Sequence, residues 1–376
     1  MQQTVKKKGK VKYTGSSEFF STLKKRVDNY FIENKLSRNF NAHMVYKTII
    51  MLCMYFVPYA LIMTNWFSPL AMLPLAILMG IGFAGVGMGV QHDANHGAYS
   101  KKNWVNRMLG YTLNAIGGNV FTWKLQHNIL HHTYTNVHNM DDDLEAGAML
   151  RFSPHAELKK VHKYQHFYAS FFYSILSINW VFKKDFHQLF KYKRNGVAAV
   201  NGMDFFKEFC ILVGSKLVYY IYFIVLPLVF LDITWWQYII GFLAVHFTAG
   251  FIVSVIFQLA HIVEGPLHPK PDEKGSIENN WAVHQLETTA DFARNNKLVT
   301  WYLGGLNFQV EHHLFPRICH VHYRALSDIV KQTAKEFNLP YFEKKSFRGA
   351  VWSHIRLLRM FGREEKPEVS IAYPKS

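Results

Sequence analysis

Four long apolar runs, set in two pairs, alternate with charged stretches along this chain. Residues 48–64 are apolar throughout, and Pro58 is tolerated there as a kink. The link Asn65-Trp66-Phe67-Ser68 follows, and residues 69–90 then form a second run without a charge. Each is long enough to cross the ~30 Å hydrocarbon core, the first only barely. The same pattern returns later. Residues 209–231 form a third run, interrupted near its start by Lys216, residues 232–235 turn the chain, and residues 236–260 lead back. The pattern predicts an all-α integral membrane protein with four transmembrane helices in two hairpins. Between the pairs, residues 104–126 are semi-apolar and broken by Gly117-Gly118, and residues 167–182 are aromatic-rich but short, as in a helix on the membrane surface. Residues 26–36 predict a short surface helix, 264–280 a loop, 281–293 a helix, and 351–361 a helix with Trp352, Ile355, Leu358 and Phe361 on one side. The organisation expected is a polar N-terminal segment (1–44), a four-span domain (45–330) and a basic C-terminal segment (331–376).

Charge orients this layout. The chain carries a net charge of +16, and its Lys and Arg avoid both hairpin turns while crowding the N-terminus, residues 101–107, residues 183–194 and the C-terminus. By the positive-inside rule both termini lie in the cytoplasm, as for a bacterial inner-membrane protein. The excess positive charge then faces anionic lipid, and no nucleic-acid partner is needed to explain it. Three scattered cysteines (Cys53, Cys210, Cys319) suggest neither a disulfide framework nor a zinc ribbon. About forty mostly polar residues precede the first run, too many for a cleaved signal peptide.

Two hairpins of this orientation return every histidine cluster to one cytoplasmic face. His92 and His96 are four apart at the end of the second run. His127, His131 and His132 follow, with His127 and His131 one helical turn apart. His261 ends the fourth run, and His312 and His313 form a last adjacent pair. Eight ligand-like imidazoles are too many for one ion, and two first-row metals in an all-nitrogen shell fit the count. The lack of thiolates argues against iron–sulfur clusters and structural zinc.

The segments HDANH, HNILHH and LNFQVEHHLFP resemble, in order, the three histidine boxes of the membrane fatty acid desaturases. The second box reads HxxxHH here. Gln309, in place of a histidine at the third box, is typical of the front-end (Δ5/Δ6-like) acyl-CoA or acyl-lipid branch. HHTYTNVHNMDDD resembles the stretch that follows the second box in that family. The resemblance covers roughly residues 45–330. It implies a cytosolic helical cap over a diiron site, with His261 as a further ligand, and oxygen-dependent insertion of a cis double bond into an acyl chain. It also implies two iron ions and O2 as co-substrate. Many front-end relatives carry a fused cytochrome b5, but no HPGG motif occurs here and forty residues are too few for that domain. The expected electron source is a separate ferredoxin or cytochrome b5.

Other positions have narrower readings. Gln309 is a weak ligand or supports one, and Asp93, Asn95 and Glu311 are placed to orient imidazoles. Trp123 and Trp281 are candidates for an acyl channel. His246, inside the fourth run, reads as a hydrogen-bonded buried histidine, and the glycines of the second run as close helix packing. The alternative function is a membrane diiron hydroxylase acting on a lipid or alkyl chain. A metal transporter would instead need its ligands near the bilayer midplane.

Overall fold

A computed structural model describes residues 11–364 apart from 146, 201 and 203. Among the described residues, four helices are long and apolar enough to cross a bilayer: Ala42–Met63, Pro69–Asn95, Phe205–Phe230 and Trp235–His261. Each overlaps an apolar run, but its start is set by polar capping. Asn41, Ser68 and Asp204 accept from the backbone N–H three residues on, Pro69 occupies the first position of its helix, and Thr234 forms a capping box with Gln237. The third span is not broken at Lys216, as hydropathy suggests. Its ammonium is buried and donates to Asp185 Oδ2 at 2.7 Å and to the carbonyls of Gly117 and Trp180.

The second span lies between the first and the fourth. A Cβ on Gly82 would stand 2.6 Å from the backbone of Met54 and Tyr55, and one on Gly80 2.6 Å from the Val245 carbonyl. Only glycine permits that approach. The two hairpin turns meet at one end of the bundle, where Asn65 Nδ2 donates to the Phe230 carbonyl at 2.8 Å and Asp232 N–H to Asn65 Oδ1 at 3.0 Å. The histidine clusters therefore share the opposite end.

Helices and loops cap that end. The N-terminal helix runs Glu18–Glu33, longer than predicted, and is not a surface helix. Phe19, Leu23, Val27 and Phe31, four apart, are buried against Leu286, Phe308 and Val330. The helix that begins at Trp281 stops at Thr288, short of the predicted 293. There the Thr288 and Thr289 hydroxyls turn back onto the carbonyls of His284 and Gln285. Residues Ala290–Phe292 then pair in parallel with Phe342–Lys344, and Lys12–Tyr13 with Ser276–Ile277. The aromatic segment is a helix, Gln165–Ser174, laid along the fourth span, where Ser254 Oγ donates to the Tyr173 carbonyl, while Phe167 and Phe171 stay exposed. The last helix, Phe347–Phe361, buries His354, Leu357, Leu358 and Phe361 and leaves Trp352 exposed, a face rotated from the predicted one.

Candidate metal centre and acyl tunnel

The second span changes its winding as it reaches the first box. A π-helical segment, Gly87–Gln91, delivers His92–Asn95 into the cap, and His96 N–H still bonds the His92 carbonyl at 3.1 Å. The second box is itself π-helical over Lys124–His131, not the α-helix its spacing suggests. Such wide turns are rare and occur mainly at functional sites. The rings of His127 and His131 stack with centroids 5.2 Å apart, yet they serve different clusters.

The imidazoles gather into two groups, each with its donor atoms within 4.8 Å of one another. His92, His96, His127 and His312 form one, and His131, His261 and His313 the other. The His132 ring stands between them, 4.7 Å from His312 and 4.5 Å from His313 by centroid. The groups fit metal ions on three counts. The buried Nε2 atoms of His96, His131, His132 and His312 have no hydrogen-bond partner. Ligand nitrogens at about 2.0–2.1 Å from a tetrahedral ion lie about 3.4 Å apart, and His92 Nε2 and His127 Nε2 are 3.2 Å apart. Every donor is a neutral-type nitrogen, which suits iron, zinc or copper.

Acceptors behind the rings fix which nitrogen faces inward. His127 Nδ1 bonds Asp143 at 2.8 Å, His131 Nδ1 both oxygens of Asp141 at 2.9 and 3.0 Å, and His313 Nδ1 Gln285 Oε1 at 2.8 Å. His312 Nδ1 meets the Tyr323 hydroxyl at 3.2 Å. With the Nδ1 proton held outward, Nε2 presents its lone pair to the centre. Burial and the crowd of neighbouring imidazoles hold His132, His312 and His313 well below the usual histidine range, so they stay neutral. Burial takes His127 down to about 4 despite Asp143. For His131 burial acts the same way, but the Asp141 carboxylate outweighs it and the pKa is raised.

The remaining predicted residues divide. Gln309 joins the second group, its amide nitrogen 3.3 Å from His261 Nε2 and 3.4 Å from His313 Nε2. Asp93 leans mainly on His320, at 2.8 Å, and lies 4.0 Å from His92 Nδ1. Asn95 faces Gln91 and the Gly110 carbonyl rather than a ring. Glu311 points away from the imidazoles into a buried group with Asp291. The Tyr341 hydroxyl is 2.6 Å from Asp291 Oδ2 and 3.1 Å from Glu311 Oε1. Burial pushes Glu311 well above the carboxylate range and Asp291 up to about 6. His246 is buried between Ser177 Oγ and the Tyr219 hydroxyl, each at 3.0 Å. Asp141, Asp143, Gln285 and Tyr323 were not singled out as ring partners by sequence, although the acidic run after the second box was the available signal for two of them.

A tunnel of about 420 Å³ reaches the centre. Phe172, Leu176, Val253 and Phe257 line its apolar part, His92, His127 and Gln309 its histidine-rich part, and Lys184, Asp143 and Glu145 a polar side. Trp123 lines it too, stacked on His127 at 4.6 Å. Trp281 does not line it. Its indole N–H donates to the His132 carbonyl at 2.9 Å, and its ring packs on Phe20 at 5.6 Å. A separate apolar cavity of about 340 Å³, among Tyr59, Met79, Pro227 and Trp236, reaches none of the histidines.

Among the described residues, four helices able to span a bilayer carry two buried all-nitrogen histidine groups beside a largely apolar cavity, a framework that fits a membrane metalloenzyme. Residues 67–345 match the family model for fatty acid desaturase, and the chain belongs to that family. It is 36% identical over 362 residues to the sn-1 linoleoyl-lipid 6-desaturase of Synechocystis sp., covering 94% of this chain and 98% of the relative. It is 34% identical over 361 residues to the enzyme of the same description in Arthrospira platensis, covering 93% and 94%. It is 34% identical over 363 residues to the acyl-lipid (8-3)-desaturase of Physcomitrium patens, covering 96% and 75%. The protein is thus an oxidoreductase that desaturates fatty acyl chains.

Proposed function

We propose that this enzyme inserts a double bond near the carboxyl end of a lipid-linked acyl chain, at carbon 6 of a linoleoyl group, using two irons, O2 and electrons from a separate carrier. The observation that carries the proposal is the tunnel, whose wall includes His92 and His127 of one histidine group and Gln309 at the other. The first iron would be held by His92, His96, His127 and His312, and the second by His131, His261 and His313 with Gln309 beside it. His132 would stand between the two. When bound, such a pair couples reduction of O2 to removal of two hydrogens, so that –CH2–CH2– with O2, two electrons and two protons gives –CH=CH– and two waters.

The chain's own residues position and protect. Apolar walls exclude water and hold the methylenes beside His92 and His127, so proximity selects the carbon attacked. Trp123 braces His127 and narrows the tunnel there. Asp141 and Asp143 fix the ring orientations. The proposed topology puts cap, site and both termini in the cytoplasm of a bacterial inner membrane, which the absence of Lys and Arg from both hairpin turns supports. An acidic ferredoxin or cytochrome b5 would then meet a basic face. Lys184 and Lys191 do not contribute freely to that face. Lys184 is half-buried beside Asp143 and Asp185, and Lys191 pairs with Asp142 and Glu145. Lys345 and Arg348 are exposed.

The test is expression with defined linoleoyl substrates and mass-spectrometric location of new double bonds. A bond at carbon 6 is expected. A hydroxylated chain as the main product would favour the hydroxylase reading.

A further inference from the structure

We propose that Lys47, on the first membrane span, is a positioning residue that balances the charge of Asp93 through His320 and so sets the ferric–ferrous balance of the iron assigned to the first histidine group. The proposal rests on the two-iron reading above. It adds to that reading a residue from a span that carries none of the histidine boxes.

Lys47 is costly where it lies. It is only 2% exposed within the helix Ala42–Met63, and its ammonium has one hydrogen-bond partner among the described residues, His320 Nε2 at 3.0 Å. Burying an ammonium is unfavourable, and a well-packed apolar residue of similar volume would avoid the penalty. An ionisable side chain kept inside a span therefore points to a function. The neighbouring backbone makes room for it. A Cβ on Gly89, in the π-helical segment that delivers the first box, would stand 2.8 Å from Lys47 Nζ and 2.9 Å from its Cε.

The contacts of Lys47 form a directed chain. An ammonium only donates, so His320 Nε2 accepts from it. The ring proton of His320 then sits on Nδ1, which donates to Asp93 Oδ2 at 2.8 Å, and the His320 backbone N–H donates to the same oxygen at 3.2 Å. Burial, with Lys47 beside it, outweighs Asp93 and holds His320 below the usual histidine range, so a neutral imidazole separates the two charges. Both ring nitrogens are engaged. The buried trio Asp93, Cys319 and His320, whose ligand atoms lie within 4.8 Å of one another, thus has no imidazole lone pair left for an ion of its own.

Asp93 carries the effect to the metal centre. Its Oδ1 lies 4.0 Å from His92 Nδ1, and that nitrogen has no hydrogen-bond partner, unlike the Nδ1 atoms of His127 and His312. His92 therefore meets Asp93 as a charge rather than as an acceptor. A carboxylate behind a ligand ring favours the more highly charged ferric ion, and a cation paired with that carboxylate removes the preference. At an effective dielectric of about 20, a unit charge about 10 Å from an ion shifts such a balance roughly tenfold.

The test is a redox titration, under nitrogen, of the full-length, iron-loaded enzyme in nanodiscs. Mössbauer spectra count ferrous and ferric iron at each applied potential, and iron per chain is measured alongside. Lys47→Met should raise the ferric-to-ferrous ratio of one iron about tenfold at fixed potential, which is about 59 mV for one electron, and leave the other iron within about twofold of the parent. Asp93→Asn should move the same iron at least as far in the opposite direction. Lys47→Met combined with Asp93→Asn should return to within about twofold of the parent, because the charges cancel again. Lys47→Arg, which keeps the charge, should stay near the parent. Lost packing cannot imitate this pattern, since damage to the site would shift both single variants alike and add up in the double. Shifts of like sign in the two single variants, or no shift in Lys47→Met with two irons bound, would overturn the role of Lys47 and leave the two-iron reading intact. A parent without iron in the first group would overturn both.

Discussion

Asp141→Asn isolates the part of the site that orients a proposed metal-binding ring. In the parent both Asp141 oxygens lie within 3.0 Å of His131 Nδ1, and the same oxygens accept from the backbone N–H groups of Asn136 and Asp143, each at 3.0 Å. The carboxylate is buried, and all four of these contacts converge on its two oxygens. Asparagine keeps the shape but turns one oxygen into an NH2 group, which then faces an N–H wherever it is placed. Losing one hydrogen bond to a charged, buried acceptor costs about 1.5–3 kcal/mol. At 1.4 kcal/mol per decade, that is a loss of roughly 10- to 100-fold in affinity for the ion on the His131 side, in line with the effect of such outer partners generally. The assay is anaerobic titration of the iron-loaded protein with a chelator, with iron counted per chain. One iron should leave at a chelator concentration well below that needed for the parent, and the second should resist. A parent-like titration for Asp141→Asn would refute the role given to Asp141 and with it the pairing of rings described above.

Other outcomes test the wider picture. His132→Ala should abolish desaturation yet remain membrane-inserted, because the apolar spans hold the protein in the bilayer. Two irons and full activity in that variant would contradict the shared centre. After removal of the exposed Cys53 and Cys210, cysteines at Ser68 and Thr234 should react from outside the cell and those at Lys102 and Lys270 only in opened cells. External labelling at Lys102 would reverse the topology. Lys216→Ala strands buried Asp185 and should cost about 3–5 kcal/mol in detergent melts, whereas Lys216→Met with Asp185→Leu should regain much of it. A melt unchanged by Lys216→Ala would show that Asp185 is not left as an uncompensated buried charge. Charge reversal at Lys345 and Arg348 should slow reduction by an acidic protein carrier, more at low salt, where the Debye length is ~30 Å, than at 0.15 M, where it is ~8 Å. A rate indifferent to both would leave these residues as lipid contacts.

The spans and the histidine boxes were legible because each is a local signal. Hydropathy over some twenty residues marks a span, and closely spaced imidazoles mark the stretches that come together in the cap. What escaped depends on direction. Glu311 sits beside His312 in sequence, but consecutive helical residues point about 100° apart, and it faces Asp291 and Tyr341 instead. Trp281 is aromatic like Trp123, yet residue type does not say which side of the cap it occupies. Asp141 reaches His131 through a loop in which Asn136 and Asn139 adopt φ of 59° and 61°. No periodicity predicts such left-handed turns, although asparagine tolerates them better than most residues. Lys216 read as a break in a span because hydropathy cannot see Asp185.

The meeting of the two hairpins has a consequence for how the protein is made. The first hairpin and the segment after it supply His92, His96, His127, His131 and His132, and the second supplies His261, with His312 and His313 later still. Neither group is complete until the last box has been synthesised and docked, since His312 completes one and His261 with His313 the other. On the proposed assignment, a nascent or truncated chain therefore lacks a full ligand set for either iron. Metal retention would then be a property of the finished molecule, and iron bound per chain would measure correct assembly in the membrane. The same arrangement would protect the cell, because a half-built chain would hold no paired centre able to reduce oxygen without a lipid to oxidise.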